Sequence, residues 1–209
     1  MSTDVPAPLE NDEHGSAKAR APRADAQRNL DTLLQTAAEV FASSGVDAPV
    51  REIAEKAGVG IGTLYRHFPN RAELVAAVFR REIDACANAA EPLAAAHPPF
   101  EALSLWIERY VGFVATKKGL AAALHSGDAA YESLPPHRNQ RLIPALRGLL
   151  DTAASAGEIR SGVDAYDLLN AVGSLYMSVR DEPGAESARR MVALLIDGLR
   201  YGATGRPEA

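Results

Sequence analysis

The chain has a single cysteine, Cys86, and no long apolar run. One thiol cannot form an intrachain disulfide, which fits a cytoplasmic compartment, and its place on a predicted helical stripe favours packing over redox sensing. No apolar segment approaches the roughly 18 residues that span a bilayer, and the acidic start MSTDVPAPLENDE does not resemble a signal peptide. We therefore expect a cytoplasmic protein without a membrane partner.

Catalytic and metal-binding patterns are also missing. The sequence has no Gly-rich phosphate loop, no nucleophile elbow, no paired Cys or His motif and no Glu-x-x-His at helical spacing. The run HSGD contains two potential metal ligands, His125 and Asp128, but no third ligand is found nearby in the sequence. The run is therefore better interpreted as a plain turn. We therefore expect no enzyme activity, no metal and no cofactor.

What the sequence does contain points to helices. The periodic segments are dominated by alanine and leucine, and turn signals of the strand type are sparse, so the chain of 209 residues is predicted to be all-α. Its net charge of -5 is unevenly distributed, since residues 15–81 hold ten basic against seven acidic side chains. The acidic excess lies in residues 1–13 and 82–209, outside the segment that carries the strongest motif.

That motif spans Val50 to Leu74, VREIAEKAGVGIGTLYRHFPNRAEL, in which two apolar helical stripes flank a tight turn. Ala54 is small enough for a second helix to cross close above it. Gly58 stands where the first helix must reverse, and glycine adopts the left-handed conformation there at least cost. This spacing predicts a helix-turn-helix with an apolar inner face made of Ile53, Ala57, Val59, Leu64 and Phe68.

The second helix of the motif, predicted over residues 60–68, has an outer face suited to DNA. Gly62, Thr63, Arg66 and His67 lie there, so polar side chains can reach base edges or phosphates and the glycine permits close backbone approach. Taken singly, Arg66 and His67 could equally be ordinary solvated residues; together with the turn spacing, DNA contact is favoured. For Ile61, core packing is favoured over contact with a thymine methyl.

The run GVGIGTLYRHFPNRAEL resembles the DNA-binding domain of the TetR family of bacterial transcriptional regulators, over roughly residues 30–79. The resemblance implies that Thr63 and Tyr65 contact phosphates and that Arg66 and His67 lie at the groove. It also implies that Arg71 contacts the DNA backbone from the start of the fourth helix.

One part of the motif departs from this family. Its second helix commonly opens with a Thr or Ser that caps the helix and contacts phosphate, but Ala48, Pro49 and Val50 stand there. We expect Asp47 to cap the helix instead, with Pro49 in the first turn. Arg51 is the candidate substitute for the phosphate contact.

The sequence divides into four parts. Residues 1–24 are rich in Pro, Ala and charge and are predicted to be a disordered tail with a loose basic end. Residues 25–70 form the helix-turn-helix domain, residues 71–203 a helical regulatory and dimerisation domain, and residues 204–209 a flexible tail. A fourth helix, capped by Asn70 with Glu73, is predicted to run to about residue 95. Further helices are predicted near residues 100–116, 119–124, 136–157, 164–180 and 186–201.

The last two predicted helices are apolar over more than one face. The segment from Trp106 to the run ARRMVALLIDGLRYGA also resembles the SbtR-like C-terminal regulatory domain of a TetR subgroup. In that family such a pair meets its two-fold mate in a four-helix interface, and the alternative is complete burial within one subunit. The resemblance therefore implies a homodimer, with candidate interface residues Leu168, Val172, Leu175, Met191, Leu195 and Leu199.

Aromatic residues of the second domain suggest a pocket for a mostly apolar effector. The spacing of Trp106, Tyr110 and Phe113 is also that of a helix core, which is the default interpretation. The candidate effector-binding residues are Trp106, Tyr110, Phe113, His125 and Tyr176.

These features predict a one-component transcriptional regulator. We expect a homodimeric repressor that binds double-stranded DNA at a palindromic operator, associates with the nucleoid through that contact, and is released by an unidentified small molecule. Activation is a second possibility, because the sign of regulation depends on operator position. A helical interaction module without an operator is a further candidate function, and a helical enzyme is the least favoured one.

Overall fold

The structure, a computed structural model, describes residues 20–115, 127–177 and 182–201. Within these ranges the chain is helical and has no strand, which confirms the all-α prediction. None of the described helices is long and apolar enough to span a membrane. The α-helices are α1 (Arg20–Ser44), α2 (Val50–Lys56), α3 (Ile61–His67), α4 (Arg71–Asn88), α5 (Ala90–Ala96), α6 (Pro99–Ala115), α7 (Leu134–Ser155), α8 (Ala165–Met177) and α9 (Glu182–Gly198), with a short 3-10 helix at Ala129–Tyr131.

Helices α1 to α3 form a three-helix head that contains the predicted helix-turn-helix. The apolar stripe of α1 is buried in contacts with α2 and α4, and Ile53 of α2 and Leu64 of α3 are almost fully buried in the same core. Gly45 ends α1 with a φ of 81°. The first helix starts at Arg20, inside the stretch 1–24 that we expected to be disordered, so that expectation is wrong for residues 20–24.

Helix α4 starts with the cap that the sequence predicted. The backbone N–H of Glu73 donates to Asn70 Oδ1 at 2.9 Å, and Asn70 Nδ2 donates to Glu73 Oε1 at 2.9 Å. The helix ends at Asn88, so the prediction of one helix to about residue 95 is wrong. Pro92 is the cause, because it has no N–H to donate to the carbonyl of Asn88 and its ring would clash with that carbonyl. The chain therefore starts a separate helix, α5.

Beyond the head, α4 packs mainly against α7, and α6 and α8 complete the core. Trp106 and Leu142 lie at its centre and are fully buried. At the surface of the α4–α7 contact, Asp84 Oδ1 accepts from Arg141 Nε at 2.7 Å and pairs with His137 Nε2 at 3.1 Å. Helix α4 thus packs in both parts of the molecule and connects them.

Helix boundaries elsewhere follow the predictions with one correction. Helices α6 and α7 begin and end within two residues of the expected limits. We expected Glu182-Pro183-Gly184 to interrupt the chain, but α9 already begins at Glu182. Pro183 lies in its first turn, where a missing N–H costs no helical hydrogen bond. The predicted helix 119–124 and the tail 204–209 lie outside the described residues.

Candidate functional site

The turn between α2 and α3 has the geometry that the sequence spacing requires. Gly58 has a φ of 68°, in the left-handed region, and its N–H donates to the carbonyl of Glu55 at 3.2 Å. The next N–H, of Val59, donates to the carbonyl of Ala54 at 3.0 Å, and Ala54 is only 2% exposed. A larger side chain at residue 54 would push the two helices apart. The helix-turn-helix prediction is confirmed at this level.

Helix α3 presents an open outer face. Leu64 and Phe68 point into the head core, whereas Arg66 and His67 are exposed and Thr63 is half-buried at the edge. At Gly62, a Cβ atom would meet no other atom of the described chain within 4 Å. Nothing among the described residues therefore requires a glycine there, and an outside partner that approaches closely would supply the reason.

Ile61 extends this outer surface, contrary to the core role that we favoured for it. It is 44% exposed, next to Tyr65 at 46%. The physical reason is that Ile61 is the first residue of α3. It lies about one turn before the buried Leu64, at the exposed N-terminal end of the helix. Two large side chains with apolar surface are therefore available for contact outside the chain.

The start of α2 also differs from expectation. Pro49 is the N-cap residue, in extended conformation, and no side chain caps the helix, so the expected cap by Asp47 is wrong. The backbone just before α2 is held from α4 instead. Arg71 Nη1 donates to the carbonyls of Val46 at 2.8 Å and Ala48 at 2.6 Å.

This contact gives Arg71 a role inside the protein that the sequence did not predict. The residue is half-buried, and its Nη1 faces the connection between α1 and α2 because the first turn of α4 passes directly beside that connection. A side chain held in this way positions the start of α2. The direct phosphate contact that we expected from Arg71 stays a prediction beside this internal contact.

Arg51 lies on the exposed side of α2. Its side chain is 81% exposed, and Nε pairs with Glu55 Oε1 at 3.3 Å. A surface ion pair of this kind contributes little to stability, so Arg51 can exchange it for a phosphate at small cost. It remains a candidate DNA contact.

Comparison with known proteins decides the family. Residues 33–78 match the family described as bacterial regulatory proteins, tetR family, and residues 98–201 match the transcriptional regulator SbtR-like, C-terminal domain. The crystal structure of a TetR transcriptional regulator from Streptomyces coelicolor is 37% identical, with a TM-score of 0.69, over 81% of this chain and 97% of that one. The chain is a TetR-family transcriptional regulator.

Two further relatives agree with this assignment. The crystal structure of a TetR transcription regulatory protein from Mycobacterium vanbaalenii is 35% identical, with a TM-score of 0.67, over 86% of this chain and 99% of that one. An HTH-type transcriptional regulator of Staphylococcus aureus (strain USA300) is 27% identical over 108 residues, or 51% of this chain and 58% of the relative. The chain thus matches little more than half the length of that relative.

In this TetR-family regulator the expected effector residues are core residues. Trp106, Tyr110, Phe113 and Tyr176 are buried, and the rings of Trp106 and Tyr110 stack with centroids 6.0 Å apart. Trp106 Nε1 also donates to the carbonyl of Cys86 at 2.9 Å. The default interpretation from their spacing, core packing, is confirmed. His125 lies outside the described residues.

A polar group beside this aromatic core was missed by the sequence reasoning. Arg138 Nη2 donates to the Tyr110 hydroxyl at 3.0 Å and to Asn170 Oδ1 at 3.1 Å, and the Tyr110 hydroxyl donates to the carbonyl of Leu169 at 3.3 Å. Burial raises the pKa of Tyr110, and the charge of Arg138 opposes part of that rise. The available signal was the position of Arg138, four residues after Leu134 on the buried stripe of α7.

The residues predicted for a dimer interface divide into two groups. Leu168, Val172 and Leu199 are buried in the core of the single chain and offer little surface to a partner, so their interface role stays a prediction. Leu175 and Leu195 are half-buried and Met191 is 43% exposed. These three line an open groove between α8 and α9, together with Arg160, Val163, Ala171, Leu194, Gly198 and Leu199.

Proposed function

We propose that this regulator is a homodimeric repressor that binds an inverted-repeat operator through α3 and leaves it when a small molecule binds the helical body. The main support for DNA binding is the exposed outer face of α3. Arg66 and His67 are exposed there, and no described residue lies close enough to Gly62 to require a glycine. Exposed donors around a permissive backbone are what base edges and phosphates need.

The roles of individual residues on this face differ. Thr63, Tyr65 and Arg51 are proposed to contact phosphates, which fix the position of the protein on the duplex. Arg66 and His67 are proposed to read base edges. Arg71 contributes indirectly, because it holds the connection that sets where α2 begins.

Dimerisation is supported by an apolar surface that one chain leaves uncovered. On α9, Leu194 is 64% exposed and Met191 is 43% exposed, beside the groove against α8. Exposed large apolar side chains in one patch mark an interface. A second copy related by a two-fold axis would cover the same groove on both chains, and two heads fixed in this way would read a palindrome.

Effector release is supported by the way α4 joins the head to the body. Its first turn holds the α1–α2 connection through Arg71, and its later turns bind α7 through Asp84. Tyr131 is buried against the same region, where burial and the charge of Asp128 raise the pKa of its hydroxyl and the charge of Arg71 opposes the rise. A ligand that shifts α7 would move α4, and with it the separation of the two heads.

Selection from a random DNA pool with the purified protein tests the proposal. We expect enrichment of an inverted repeat with half-sites about one helical turn, or a multiple of it, apart. Arg66→Ala and His67→Ala should change the enriched bases, whereas Tyr65→Ala should weaken binding to all sequences. Arg147→Ala, an exposed change on α7, is the matched control. Recovery of no inverted repeat would contradict the proposal and favour an interaction module.

A further inference from the structure

We propose that Ile61 reads a thymine in each operator half-site, through van der Waals contact between its side chain and the 5-methyl group of the base. The inference rests on the proposed DNA binding through α3 and adds the chemical identity of one base to it. The sequence alone favoured core packing for Ile61. Its exposed fraction of 44% instead leaves apolar surface for a partner outside the chain.

Ile61 lies at the end of α3 that approaches the bases. It is the first residue of the helix, and in helix-turn-helix proteins the N-terminal residues of the second helix contact base edges. Its neighbours Gly60 and Gly62 are both glycines, so Ile61 alone carries a side chain between Val59 and Thr63. The side chain of Ile61 therefore stands between two positions at which a partner can reach the backbone.

The direction of this side chain follows from the helix geometry. Leu64 marks the buried side of α3. At about 100° per residue, Gly62 and Arg66 face away from Leu64, and Ile61 and Tyr65 flank that outward side. A Cβ atom at Gly62 would meet no atom of the described chain within 4 Å, apart from its own chain neighbours. A base edge that approaches over Gly62 would therefore meet the side of Ile61.

The chemistry of the side chain limits what Ile61 can contact on DNA, because it has no polar atom. The base edges in the major groove present hydrogen-bond donors and acceptors, and the 5-methyl group of thymine is the apolar group among them. Covering a donor or acceptor with Ile61 would cost the hydrogen bond that this group makes with water. Covering the thymine methyl instead removes apolar surface of both partners from water. Thymine is therefore the base that Ile61 favours.

The expected size of the effect follows from the burial of one methyl group. Such burial strengthens an equilibrium by roughly fourfold. A dimer makes the contact once in each half-site, and effects at well-separated positions add in free energy. Removing the methyl group from both half-sites should therefore lower the affinity by roughly fifteenfold.

Replacement of thymine by deoxyuridine tests the contact, because uracil keeps the hydrogen-bonding edge and lacks only the methyl group. Each thymine of the selected inverted repeat is replaced in turn, symmetrically in both half-sites, and affinity is measured by fluorescence anisotropy. We expect one position per half-site at which uracil weakens binding of the wild-type protein by roughly fifteenfold. Ile61→Ala should bind the unmodified repeat more weakly and show no further loss from that uracil.

Two controls separate this contact from other effects of the substitution. Arg66→Ala, on the same helix, should weaken binding but keep the full uracil effect, because it removes a different contact. Ile61→Ala should leave the salt slope of log Kd unchanged, because it removes no charge. Thermal denaturation checks that the variant is folded.

The outcomes separate this inference from the function on which it rests. A uracil effect at no position, or one that persists in full in Ile61→Ala, would overturn the role of Ile61, while binding to the inverted repeat would still support the proposed function. Selection that recovers no inverted repeat would contradict both.

Discussion

Replacing Arg71 with alanine tests whether this side chain acts inside the DNA-binding head or on DNA. Arg71 Nη1 donates to the carbonyls of Val46 and Ala48 at 2.8 and 2.6 Å. A hydrogen bond from a charged donor contributes roughly 1.5–3 kcal/mol, and solvent replaces part of it at a half-buried residue. We expect Arg71→Ala to lower the free energy of unfolding by about 2 kcal/mol, or the melting temperature by roughly 4–8 °C.

DNA binding at several salt concentrations separates the two roles. A lost phosphate contact reduces the salt slope of log Kd by about one, whereas a loosened α1–α2 connection weakens binding at every salt concentration and leaves the slope unchanged. We expect the second result by fluorescence anisotropy. Arg51→Ala, at an exposed position of α2 that is proposed to contact phosphate, is the control that should reduce the slope without changing stability. A reduced slope with unchanged unfolding free energy for Arg71→Ala would refute the internal role.

Three further substitutions test the outer face of α3, the cap of α4 and the surface of α9. Gly62→Ala should raise the free energy of unfolding by up to about 1 kcal/mol, because no described residue opposes a methyl group there, yet it should weaken DNA binding at the closely approached face. Urea denaturation measures the stability and fluorescence anisotropy the DNA affinity, and unchanged affinity would count against close contact. Asn70→Ala should cost about 1 kcal/mol in urea denaturation through loss of the α4 cap, and wild-type stability would show that the cap contributes nothing. Leu194→Glu should give monomers by light scattering while Ala193→Glu stays dimeric, and dimers from both would place the interface elsewhere.

Local sequence signals were sufficient to predict the helix-turn-helix of the head. Gly58 and Ala54 act over a few residues of chain, so their spacing predicts both the turn and the close helix crossing that the structure contains. The Asn70 cap is local in the same way. Helical periodicity likewise predicted most of the body helices. An apolar stripe indicates a helix whichever element of the fold later covers that stripe.

Features that depend on tertiary neighbours were not predictable. Ile61 has a core-like position on the helical wheel, but its exposure is set by which elements reach the end of α3. Leu168 and Leu194 are equally apolar in sequence, yet one faces the core and the other the outside. Arg138 and Asn170 are 32 residues apart, and no spacing rule joins two polar residues on different helices.

The central claim is that two copies of α3, fixed by a dimer, read two half-sites in one register. The most direct test is the affinity for the selected inverted repeat, compared with the same duplex carrying about five extra base pairs between its half-sites, which rotates one half-site by roughly half a helical turn. We predict that the insertion lowers affinity by roughly tenfold or more, because one head must detach. Equal affinity for the two duplexes would contradict the claim.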